Sequence, residues 1–208
     1  MLTPEAAKIA HSEALALCEG SMPPHYAGWI ASELCADCVL AGQWQQAYTY
    51  ALKAAASRDP TILSLGGAAR WYEIAALLWG GSADQAREEV RRFGEAMNNN
   101  RRSALLYLRS LALLAQSRGE IDAAIAHLQE VARGAEEVGL PGELWSMCVE
   151  LGEIYLKQGD ESQADQTFAR AAEILHSLAD TMEDHQQRTS FLSAPVVKRV
   201  LEYVRFLE

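Results

Sequence analysis

The sequence predicts an all-α protein built as a solenoid of antiparallel helix pairs, and three observations carry that expectation. β-Branched residues are sparse and scattered, whereas Ala, Leu, Glu, Gln and Arg fill long stretches with apolar residues at three- and four-residue spacing, the period of helices with one buried face. Four times a glycine is followed five residues later by an alanine: Gly42 and Ala47, Gly81 and Ala86, Gly119 and Ala124, Gly159 and Ala164, at successive spacings of 39, 38 and 40 residues. The register continues seven residues past each alanine to Ala54, Phe93, Val131 and Ala171. Self-similarity at a fixed period marks stacked supersecondary units that bury their apolar faces against one another.

The elements follow from that frame. An opening helix over 4–19 reads as the second half of a preceding repeat, so residues 1–20 form a half-repeat and the chain looks like a piece of a larger protein. Helix pairs are expected at 25–41 with 44–57, 61–79 with 83–97, 102–117 with 121–137, and 142–158 with 161–178, each first helix closed by a glycine whose positive φ ends it. The four pairs thus fill 25–57, 61–97, 102–137 and 142–178. Asn98-Asn99-Asn100-Arg101-Arg102 reads as a linker, since asparagine tolerates the left-handed conformation that stops a helix. Residues 181–208 supply closing helices, one near 181–192 and one opened by Pro195 and running from Val196 to Phe206. The whole is expected to be one domain.

The last repeat reads Leu151-Gly152-Glu153-Ile154-Tyr155, then Gly159, Ala164, Phe168 and Ala171. In this it resembles the tetratricopeptide repeat (TPR) family, whose pattern sets Leu-Gly and Tyr before a turn glycine and Ala, an aromatic and Ala after it. Small residues let two antiparallel helices approach while the aromatic fills the gap. The earlier repeats place Cys38, Leu77 and Ala115 at the Tyr position and Cys35, Ile74 and Ala112 at the Gly position. The resemblance covers residues 25–178 and implies a right-handed superhelix. The 39-residue spacing and the Arg188-Thr-Ser-Phe191-Leu192 and Ala194-Pro195 closing segment are similar to arrays attached to bacterial signalling ATPases and to LuxR-type or cyclase-linked regulators.

Composition narrows the function. A formal net charge of −10 repels a phosphate backbone, and the basic pairs Arg91-Arg92 and Arg101-Arg102 make no stripe, so nucleic acid is not an expected partner. No apolar run nears the roughly 18–20 residues that span a bilayer, and the N-terminus lacks a secretory signal, so a cytoplasmic protein without membrane contact is expected. Cys35-Ala-Asp-Cys38 has redox or half-zinc spacing, yet no second pair and no nearby His pair accompany it; with Cys18 and Cys148 these read as reduced, packed thiols. No two of the five histidines stand at i, i+4, and no phosphate loop or nucleophile elbow is present. Gly66-Gly67 and Gly80-Gly81 read as turn or close-packing glycines. No catalytic, cofactor or metal residues are expected, and the chain reads as a non-enzyme.

What remains is binding, on the surface that first helices line in such arrays. Register assigns it Trp29 and Ser32, Trp71 and Ala75, Leu106, Arg109 and Leu113, then Val149, Glu153 and Leu156. Trp29, Trp71, Arg109, Leu113, Val149 and Glu153 are the candidate partner-binding residues, Trp and Arg being enriched at interface hot spots. Arg109 on the apolar helix Leu105–Leu114 must reach water, a carboxylate or a ligand, because burying it unpaired costs too much; Glu153 is one candidate. The expected role is a protein–protein interaction scaffold, the partner-binding or sensing arm of a bacterial regulator that takes a protein helix or peptide, with a homodimer also possible. A small-molecule sensor using Trp71, Tyr72 and Arg109 is the alternative.

Overall fold

The computed structural model describes residues 4–18, 22–57, 67–96 and 100–206. Residues 61–66, where one predicted helix was to begin, Gly66 and the linker asparagines Asn98 and Asn99 lie outside these. Among the described residues there are eleven helices and no strand. They are α1 (Pro4–Cys18), α2 (Pro24–Leu40), α3 (Trp44–Ala56), α4 (Gly67–Gly80), α5 (Ala83–Glu95), α6 (Arg101–Ser117), α7 (Ile121–Val138), α8 (Pro141–Gln158), α9 (Glu161–Asp180), α10 (His185–Leu192) and α11 (Pro195–Arg205). Each answers to a predicted helix. None is long and apolar enough to cross a membrane.

Local chemistry sets the ends. Gly42, Gly81, Gly119 and Gly159 have φ of 69°, 125°, 75° and 77°, where an L side chain is strained. Past Gly42 the amide of Gln43 bonds back to the Cys38 carbonyl at 2.8 Å, past Gly81 that of Ser82 reaches Leu77 at 2.8 Å, and past Gly159 that of Asp160 reaches Tyr155 at 3.0 Å. These six-residue closures satisfy carbonyls that the ending helix leaves open. Ser82, Asn100 and Asp160 each cap the helix that follows by accepting a backbone N–H. Pro24, Pro141 and Pro195 open their helices, where no N–H is needed. α10 starts at His185 rather than near 181 because the Asp184 carboxylate accepts from the amides of Gln186 and Gln187, at 2.7 and 3.1 Å, and fixes the first turn there.

The chain forms two compact units, one of α1–α6 up to Arg118 and one of α7–α11 from Gly119. In the first, α1 packs on α2, α2 on α3 and α4, and α4 on α5 and α6. Its core joins Cys35, Cys38, Ala47, Ala51, Ile74, Leu77, Ala86, Val90 and Phe93 with Leu106, Leu113 and Leu114. In the second, α8 packs against α7 and α9, and α9 carries α10 and α11. Gly152 allows the closest approach there: a Cβ on it would stand 2.8 Å from the Phe168 ring. Phe168 in turn meets the Tyr203 ring at 4.6 Å, and the Tyr203 hydroxyl donates to Asp165 at 2.7 Å, tying α11 to α9.

Candidate functional site

In the α1–α6 unit the sequence-selected residues Trp71 and Arg109 come together. Trp71 opens the second turn of α4 and packs partly buried against the core; Arg109 sits midway along α6, which lies on α4. The guanidinium carbon of Arg109 is 3.8 Å from the centroid of the Trp71 ring, and Tyr72 meets that ring edge-on at 5.0 Å. A cation over an indole face at this depth is worth about 0.5–2 kcal/mol. Thus an arginine on an apolar helix is accommodated by placing its guanidinium over an aromatic face. Nε1 of Trp71 is buried with no hydrogen-bond partner.

The other candidates divide by burial. Trp29 stands out from α2, 44% exposed. Leu113 and Val149 are buried, as are Ser32, Ala75 and Leu106, so they offer packing and not binding surface; neighbouring helices cover more of each first helix than register alone allows for. Glu153 accepts from Arg199 of α11 at 2.5 Å, which gives the carboxylate named for Arg109 a cation of its own.

One buried charged residue was not selected from the sequence. Glu73 of α4 is only 2% exposed, and the Ser32 hydroxyl donates to its Oε1 at 2.5 Å, joining α4 to α2. Its signal was present in Trp71-Tyr-Glu73-Ile-Ala-Ala-Leu, a charge in an apolar run of the kind that drew attention to Arg109. Glu73 bears on the thiols: Cys35 is pushed well above the usual thiol range by burial first, then by the Glu73 charge and Cys38. Cys38 is raised by burial, with Lys8 opposing. Cys35, Cys38 and Cys148 are buried free thiols, as packed small hydrophobes should be.

No protein-family model matches the chain. No curated protein is significantly similar to it.

Proposed function

We propose that the chain is a tetratricopeptide-like solenoid whose first helices present a protein-binding surface, and that it serves as the partner-binding or sensing arm of a bacterial signalling or transcription-regulating protein, without catalysis of its own. The solenoid reading is supported by left-handed glycines recurring every 38 to 40 residues and by contact of α2 with α4 and of α4 with α6, each skipping the helix between.

The observation that carries the binding role is the Trp71–Arg109 stack. It joins the two residue types most enriched at hot spots on neighbouring first helices, with an indole N–H that lacks an acceptor. A buried donor left unpaired costs about 1–3 kcal/mol. A carbonyl or carboxylate of a bound peptide would remove that cost once the Arg109 side chain swings aside. Trp29 extends the surface along α2 with an exposed aromatic anchor.

The test is binding of an identified partner to the wild-type chain, to Arg109→Ala and to Trp29→Ala, with helicity monitored by far-UV circular dichroism. Loss of a hot-spot contact of about 2 kcal/mol weakens affinity roughly thirtyfold. Unchanged affinity in both variants sinks the surface assignment.

A further inference from the structure

The α7–α11 unit holds a second feature unrelated to the Trp71–Arg109 surface. An open cleft of about 450 Å³ lies between α7, α8 and α9, its floor including Leu151 and Cys148. Across it an ion pair joins the walls: Arg170 of α9 bonds Glu136 of α7 at 2.7 Å, with side chains 46% and 60% exposed. The other arginine on the lining, Arg133, is engaged by Glu130 and Glu137 of its own helix. Both members of the crossing pair stand within electrostatic reach of the Cys148 thiol, which burial raises most strongly, Arg170 lowers and Glu136 raises.

The exposure of that pair decides what the cleft can accept. Water screens an ion pair so exposed, and its net contribution to stability is small, so a ligand opens it at little cost. A lone anion on Arg170 strands Glu136, and a lone cation on Glu136 strands Arg170. A ligand carrying both charged groups on one carbon replaces the pair charge for charge, and a guanidinium donates to a carboxylate through two parallel bonds. An α-amino acid has that disposition; a longer peptide, with its termini far apart, does not. The remaining walls bring side-chain amides from Gln129, Gln163 and Gln166; Gln129 donates to the Tyr155 hydroxyl and Gln166 to that of Ser162, and each amide keeps a second N–H and its carbonyl oxygen, which suits an uncharged polar side chain better than an aliphatic one.

We propose that this cleft binds a free α-amino acid with an uncharged polar side chain, its carboxylate on Arg170 and its ammonium on Glu136. The experiment is titration calorimetry on the full chain with L-glutamine, its N-acetyl and C-amide derivatives, and L-leucine. L-Glutamine is expected to bind saturably, and each derivative blocked at one end on the order of tenfold or more weaker, the loss when one charge-assisted contact is removed. Arg170→Gln and Glu136→Gln should each show the same loss with unchanged circular dichroism and thermal midpoint, since the pair adds little stability. No saturable heat with L-glutamine at millimolar concentration, equal binding of the blocked derivatives or of L-leucine, or full affinity in both variants overturns the proposal. Because Arg109 and Trp71 take no part, any of these outcomes leaves the protein-binding reading where it stood.

Discussion

Replacing Gly80 by alanine should destabilise the protein although alanine is the better helix former. Gly80 is the last residue of α4, and a Cβ built on it falls 2.6 Å from the Cβ of Tyr48 on α3. That is 0.8 Å short of an ordinary 3.4 Å contact. The atom it meets is a Cβ, fixed to the α3 backbone, so no side-chain rotation relieves the overlap and the two helices must part. Overpacking of this kind costs about 1–3 kcal/mol. Removing glycine from a helix returns about 0.5–1 kcal/mol, and less at a helix end. The clash wins by about 1–2 kcal/mol, which for a chain of 208 residues lowers Tm by roughly 2–8 °C. Gly142→Ala is the control, because a Cβ there meets nothing within 4 Å in the first turn of α8. It should stabilise by about 0.4–1 kcal/mol through the unfolded chain. Thermal unfolding followed by circular dichroism reads both, and a Gly80→Ala variant melting at or above the wild type refutes the packing argument.

Three further outcomes are expected. Ser32→Ala deprives the buried Glu73 carboxylate of its hydroxyl donor and should cost about 1.5–3 kcal/mol, as for other hydrogen bonds to charged groups, read as a lower urea midpoint with an unchanged slope. The Tyr203 hydroxyl is pushed up from 10.0 to about 12, first by its hydrogen bond to Asp165, then by desolvation and by the Asp165 and Glu161 charges. The native state therefore keeps a proton that the unfolded chain releases between those values, so this contribution is complete below pH 10 and is lost as pH rises to about 12. Stability should fall more steeply across that window in the wild type than in Tyr203→Phe, and parallel slopes would contradict the Tyr203–Asp165 bond. In native protein one thiol, Cys18, should react promptly with a disulfide reagent while Cys35, Cys38 and Cys148 stay protected by burial; four should react in denaturant, and two or more fast native thiols would count against the packing described.

The helices were legible because their punctuation is local. A glycine in the left-handed region, a proline in a first turn and an oxygen-bearing cap act within a few residues of the boundary they set, so spacing in the sequence carries over to the backbone. The pair Gly80-Gly81 shows how far that reaches. Turn and close packing were both read from it, and the two residues divide the tasks: Gly81, at φ 125°, makes the turn, and Gly80 makes the contact with Tyr48. The site was less legible, because exposure depends on what lies across from a helix and not on its own period. Leu113 and Val149 keep the register of Arg109 and Glu153, yet other helices cover them. Glu73 escaped notice for the same reason: its partner, Ser32, is 41 residues away, a separation that no period of three or four reveals.

Arg109 and Glu73 set the same problem, a charge on an apolar helix, and the fold resolves it in two ways that separate surface from core. Glu73 is enclosed, with Ser32 joining α4 to α2, so its removal should be felt as lost stability, an uncompensated or missing buried group being among the costlier changes a core can undergo. Arg109 lies over the face of a partly buried indole, an arrangement worth about 0.5–2 kcal/mol, so losing it should lower the thermal midpoint by no more than roughly 8 °C and leave the chain folded. A residue whose removal leaves the fold intact while removing a hot-spot side chain is the right place to ask about binding. If Arg109→Ala melts more than about 8 °C below the wild type, beyond what loss of the stack alone accounts for, the arginine belongs to the core with Glu73, and Trp29 becomes the better probe of the surface.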